Sequence, residues 1–153
     1  MGKELRQKLL KHLQSLEGEI GDYPKFQALC KQEYLTDRDK RRNVERWAEN
    51  IINSVIDIVK VVLFMESVPL PESYKETVSL LVSVSSLGIA DADRLAAWAR
   101  FRNILAHEYV DIRWNSLERF IRGSREIHGD FLAKAKDYLR RIIETESGRT
   151  PSG

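Results

Sequence analysis

The run Arg102-Asn103-Ile104-Leu105-Ala106-His107-Glu108-Tyr109 sets a permanent cation five residues before a group that titrates near neutrality. Facing a phosphodiester, the two groups have separate uses. A guanidinium grips phosphate oxygens in a fork and stabilises the charge that builds on them. An imidazole moves the proton of an attacking hydroxyl or of the leaving oxygen. RNA carries that hydroxyl internally, at the 2′ position, so no metal is needed to make a nucleophile, whereas DNA carries none. An Arg/His site without a metal therefore fits RNA. The same pair near a helix end could also do no more than cap carbonyls or pair with Glu108 or Asp111.

Other chemistries fail on spacing. His107-Glu108 opens like a zinc-protease helix, but Asp111 stands where the second histidine belongs. A di-metal bundle needs Glu-x-x-His pairs, and the residues three before His12, His107 and His128 are Leu9, Ile104 and Arg125. There is no Gly-rich phosphate loop and no Gly-x-Ser-x-Gly elbow. His12 and His128 read as solvated surface histidines. Cys30 stands alone, which excludes an internal disulfide and a cysteine-rich zinc site and points to a reducing, cytoplasmic setting. The amphipathic start MGKELRQKLLKHLQ has no signal-peptide core. The most apolar run, Ile51 to Met65, holds Asn53, Asp57 and Lys60 and is too short to span a bilayer, so no membrane association is expected.

The 153 residues hold 25 Lys and Arg against 23 Asp and Glu, a net charge of +2. That balance disfavours a general nucleic-acid coating protein. It hides local density, because Arg94, Arg100, Arg102 and Arg113 flank the motif and Arg119, Arg122 and Arg125 follow it.

On a continuous helix, residues five apart stand about 140° apart, whereas Asn103 and His107, four apart, share a face. Either the helix distorts, or the site is completed from elsewhere. A twofold dimer would bring two motifs together and supply a second histidine, one acting as base and the other as acid.

The elements that must carry this motif read as helices. Leu5, Leu9, Leu13, Leu16 and Ile20 form one stripe over residues 3–20, stopped by Gly21-Asp22 and Pro24. Residues 24–35 read as a short helix or packed connection, and Thr36 as the N-cap of a long helix over 37–66. From Ile51 that helix is apolar nearly all round, which implies burial on more than one face, with Ile51, Val55, Val62 and the surroundings of Trp98 in the buried set. A helix over 72–87 should end at Gly88. Asp91 should cap a helix that runs through Trp98 into the motif. After a connection near Val110–Asp111, a last helix over 114–145 carries Gly123 and Gly129 as points of bending. The sum is an all-α, single-domain antiparallel helical bundle over residues 1–146 with a polar tail over 147–153.

The motif Arg102-Asn103-x-x-x-His107-x-Tyr109 resembles the R-x4-H-x-Y motif of the HepT-like toxins, a branch of the HEPN superfamily. Val44-Glu45-Arg46 and Val55-Ile56-Asp57-Ile58 are similar to the family's second-helix pattern, and Ser73-Tyr74-Lys75-Glu76 and Phe101-Arg102-Asn103 also match. Residues 22–36 fall outside the matched features. The resemblance implies a HEPN-like homodimer whose two motifs face a shared cleft, acting as a metal-independent endoribonuclease toxin. Arg102 and His107 would be catalytic, with Asn103 and Asp57 in supporting positions. It also implies a partner, an MntA-like nucleotidyltransferase antitoxin that silences the toxin by moving AMP onto Tyr109. ATP and Mg²⁺ would belong to that partner, with no cofactor on this chain. Tyr109 and Arg102, seven apart, would share a face if the helix continued, so a modified Tyr109 would place phosphate and purine beside Arg102. The alternative is a non-catalytic HEPN helical adaptor, or a nucleotide-binding subunit for a nucleotidyltransferase.

Overall fold

Leu9, Leu13 and Leu16 fall on one side of α1 (Gly2–Ile20). In the computed structural model, which describes residues 2–89 and 92–148, all three are buried. Residues 24–35 resolve into parts of two short helices, α2 (Tyr23–Gln27) and α3 (Lys31–Thr36). Cys30 caps α3: its Sγ accepts from the Glu33 N–H, and the Glu33 carboxylate accepts from the Cys30 N–H at 3.3 Å.

The N-cap of the long helix α4 (Arg38–Met65) is Asp37, not Thr36. Asp37 has the extended backbone a cap needs, and its carboxylate accepts from the N–H groups of Asp39 and Lys40, both at 3.1 Å. Thr36 instead closes α3, donating to the Gln32 carbonyl at 2.7 Å. From Ile51 to Leu63, α4 buries side chains all round, as its composition predicts. The Trp47 indole N–H donates to the Glu19 carbonyl at 2.7 Å, and His12 stands 4.0 Å from Asp57, so α1 and α4 run antiparallel. Past α4, Ser67 takes a positive φ of 57° while the Val68 N–H reaches back to the Leu63 carbonyl at 2.9 Å.

Residues 72–87 do not form one helix. α5 (Tyr74–Ser79) is capped by Ser73 and passes into two 3₁₀ turns, Leu80–Ser83 and Ser85–Leu87. Serines compete with a helix here: the Ser83 hydroxyl bonds the Leu80 carbonyl at 2.5 Å. Gly88 follows with φ +72°, a conformation that costs glycine little.

The helix expected through the motif is two, α6 (Ala92–Ala99) and α7 (Phe101–His107), broken at Arg100. The Asp91 cap lies outside the described residues. The last helix is also two, α8 (Val110–Gly123) and α9 (Arg125–Gly148), separated at Ser124 beside the anticipated Gly123, while α9 passes through Gly129 unbroken. α9 includes Ser147 and Gly148, and residues 149–153 lie outside the described residues. Arg6 pairs with Glu146, and Lys136 with Glu17 at 2.6 Å, so α1 is antiparallel to α9 as well as to α4.

An aromatic cluster organises the middle of this all-α bundle. The Phe120 ring stacks on Phe101 at 5.2 Å and meets Trp98 and Trp47 edge-on at 5.6 and 5.7 Å, while Tyr23 sits edge-on to Trp47 at 4.8 Å. His128 belongs to this interior and is not a solvated residue. It is buried, 5.6 Å from Phe120, with Nδ1 3.0 Å from the Tyr23 hydroxyl. Its spacing to Phe131, Leu132 and Ala135 puts it on the inner face of α9. The Ser124 hydroxyl donates to the Phe120 carbonyl at 2.6 Å, so Tyr23 donates to Ser124 at 2.7 Å and accepts from a neutral His128 carrying its proton on Nδ1. Burial alone pushes His128 down to about 3. Among the described residues no helix is long and apolar enough to cross a membrane.

Candidate functional site

Phe101 anchors the site. Its buried ring holds the first turn of α7 on Phe120 of α8. Arg102, the next residue, is carried outward and remains partly exposed. Its guanidinium carbon lies 4.8 Å from the centroid of the Tyr74 ring on α5. Lys60 of α4 approaches the same ring, with Nζ 5.4 Å from the centroid. The hydrogen bond and charge of Arg102, and then the charge of Lys60, pull the Tyr74 phenol below its ordinary value, with Asp57 opposing them. Asp57 and Lys60, three apart, share a face of α4. Four helices thus converge: α7 brings Arg102, α5 brings Tyr74, α4 brings Lys60 and Asp57, and α1 brings His12.

His107 is the last residue of α7 and is exposed, as is Asn103 one turn earlier. α7 is unbroken between Phe101 and His107, so the helix does not distort to bring Arg102 and His107 onto one face; they stand about 140° apart. Among the described residues no hydrogen bond or ion pair joins them.

Tyr109 departs from the expected placement. The helix does not continue to it: Glu108 and Tyr109 have extended backbone, with ψ of 158° at both, and Tyr109 takes the N-cap position of α8. A shared face with Arg102 two turns on is therefore lost. What replaces it is openness, since Tyr109 is 83% exposed.

The link between α7 and α8 is braced from beneath. Arg113 of α8 donates from Nη1 to the Glu108 carbonyl at 3.1 Å and from Nε to the Glu45 carboxylate of α4 at 2.8 Å. The Tyr34 hydroxyl of α3 donates to the same carboxylate. Burial, then the bond to Glu45, pushes Tyr34 up to about 12. Residues 22–36, which match no motif feature, thus supply a support for the link that carries Tyr109.

Sequence reasoning missed Lys60 and Tyr74 as neighbours of Arg102, and Tyr34 as a partner of Glu45 and Arg113. The i, i+3 spacing of Asp57 and Lys60 was the visible signal for the first group. Among the described residues no group of three or more His, Cys, Asp or Glu side chains is placed to hold a metal ion.

A family model described as "Ribonuclease HepT-like" matches residues 10–145. No curated protein matches the chain.

Proposed function

The chain belongs to the HepT-like ribonuclease family, and from that premise we propose that it is a metal-independent endoribonuclease toxin, silenced when an MntA-like nucleotidyltransferase transfers AMP onto Tyr109. The observation that carries this proposal is the placement of the motif. Arg102 and His107 lie on one short helix locked by Phe101, and Tyr109 stands open to solvent on the braced link that follows.

In the cleavage step the RNA 2′ oxygen attacks the adjacent phosphorus, the 5′ oxygen leaves, and a 2′,3′-cyclic phosphate forms. Arg102 binds the phosphate and stabilises its growing charge. His107 takes the proton of the hydroxyl or returns one to the leaving oxygen. One helix holds these two groups on different sides, which supports a homodimer in which a second copy supplies the complementary histidine. Asn103, on the His107 face, and Asp57, at the foot of the Arg102 cluster, take supporting roles.

In silencing, the Tyr109 oxygen attacks the α-phosphorus of ATP on the partner enzyme and pyrophosphate leaves. An 83% exposed phenol is open to a second protein's active site. The AMP adds an anion and a purine at the mouth of the RNA cleft.

His107→Ala and Arg102→Ala should each abolish toxicity and RNA cleavage while the fold and the dimer persist. Cleavage that survives both changes, or that stops on chelation, would refute the proposal. Growth arrest relieved by the partner, with Tyr109 gaining the mass of one or more AMP units, would support it. A stable complex with the partner and no cleavage of any RNA would favour the adaptor instead. A monomer by light scattering at micromolar concentration would contradict the shared site.

A further inference from the structure

Lys60 and Arg102 are two cations gathered on one aromatic ring. Lys60 Nζ lies 5.4 Å and the Arg102 guanidinium 4.8 Å from the Tyr74 centroid. Neither is ion-paired among the described residues. The carboxylate acting on Tyr74 from α4 is Asp57, which itself stands 4.0 Å from His12. Two like charges held together repel each other, Asp57 one turn away is shared with His12, and an incoming anion relieves the repulsion that remains. Tyr74 itself is 46% exposed, so the side chain that both cations approach is open to solvent. A solvent-exposed tyrosine with two cations over its ring offers the two parts a nucleotide needs: positive charge for the phosphate and, where the cations leave the ring open, an aromatic surface for the base.

We infer that Lys60, Tyr74 and Arg102 form a nucleotide subsite for single-stranded RNA, adjoining the bond to be cleaved. The inference rests on the ribonuclease proposal and deepens it. Arg102 belongs to both places, so a strand seated here is registered against His107. Lys60 takes a backbone phosphate one nucleotide away from the one Arg102 engages. Tyr74 stacks against a base, which fits single strands, because in a duplex the base faces are already stacked. The preference is for unpaired nucleotides and does not depend on base edges.

The test is fluorescence anisotropy with a labelled oligouridylate of about ten nucleotides, a length that covers an ordinary single-strand site. It is run on His107→Ala protein so that binding is read without cleavage. Adding Tyr74→Ala should weaken binding about tenfold or more, and Tyr74→Phe should restore it. Adding Lys60→Gln should weaken binding and reduce the salt dependence by about 0.7 in log–log slope, the loss of one phosphate contact. In the His107-intact protein, cleavage of the same oligonucleotide is followed in parallel. If that protein cleaves and both changes leave binding and salt slope unaltered, the subsite is wrong and the ribonuclease proposal stands. If it binds through Tyr74 and Lys60 yet cleaves nothing, the subsite stands and the ribonuclease proposal fails. If it neither binds nor cleaves, both fail.

Discussion

His128 should make this fold sensitive to mild acid. Its imidazole is buried and neutral in the folded chain, with its pKa pushed down to about 3, against 6.5 when solvated. A group depressed in this way favours the native state fully above its unfolded pKa, and the contribution is lost as pH falls toward the folded value. Between pH 7 and pH 5 the unfolded histidine takes up most of a proton and the folded one takes up almost none. Linkage over that interval amounts to about 2 kcal/mol, out of about 5 kcal/mol over the whole range. Glu19 opposes the loss, since burial raises its carboxyl; a comparison with His128→Gln, an amide that can still donate to Tyr23, removes that background. The assay is urea unfolding followed by tryptophan fluorescence. The midpoint of the unsubstituted chain should drop by about 1 M more than that of the variant between the two pH values, for a denaturant slope of about 2 kcal/mol/M. Equal drops in the two proteins would refute the burial argument, because His128 would then titrate alike in folded and unfolded chains.

Four further outcomes follow from the packing and the backbone. Arg113→Ala leaves the Glu45 carboxylate, only 21% exposed, with the Tyr34 hydroxyl as its remaining partner; thermal unfolding by circular dichroism should show a loss of about 2 kcal/mol. Ser67→Gly relieves a positive φ and should raise stability by about 0.5–1 kcal/mol, read as an upward shift of the melting temperature. Phe120→Ala removes the ring shared by Phe101, Trp98 and Trp47 and should cost about 3–5 kcal/mol by urea titration, whereas Tyr109→Ala should stay within about 0.5 kcal/mol.

The long helices were legible because their apolar spacing repeats over many turns, as in Leu9, Leu13 and Leu16 of α1 and the all-round burial of α4. Breaks were harder to read, since they are decided by tertiary contacts. Nothing local marks Arg100 as the break after α6, yet that break coincides with Phe101 stacking on Phe120. The Ser124 junction is held by a hydroxyl bond to Phe120 and by Tyr23 from a hundred residues away. For His128 residue type suggests a solvated side chain, while the inward spacing to Phe131 and Leu132 carries the truer signal. Arg102 and His107 stood out by residue type alone. Tyr74 and Lys60 did not, because their nearness to Arg102 exists only once α4, α5 and α7 have packed.

The motif side chains sit outside the packing that makes the fold: His107, Asn103 and Tyr109 are exposed, and Phe101 beneath them is buried. For a gene under selection this separates two kinds of mutation. A single base change that alters the exposed His107 touches none of this packing, while a change at Phe101 strikes the ring that holds α7 on Phe120. Substitutions at the exposed positions should therefore accumulate in copies that still fold. The fold by itself therefore places little constraint on the identity of residues 103, 107 and 109.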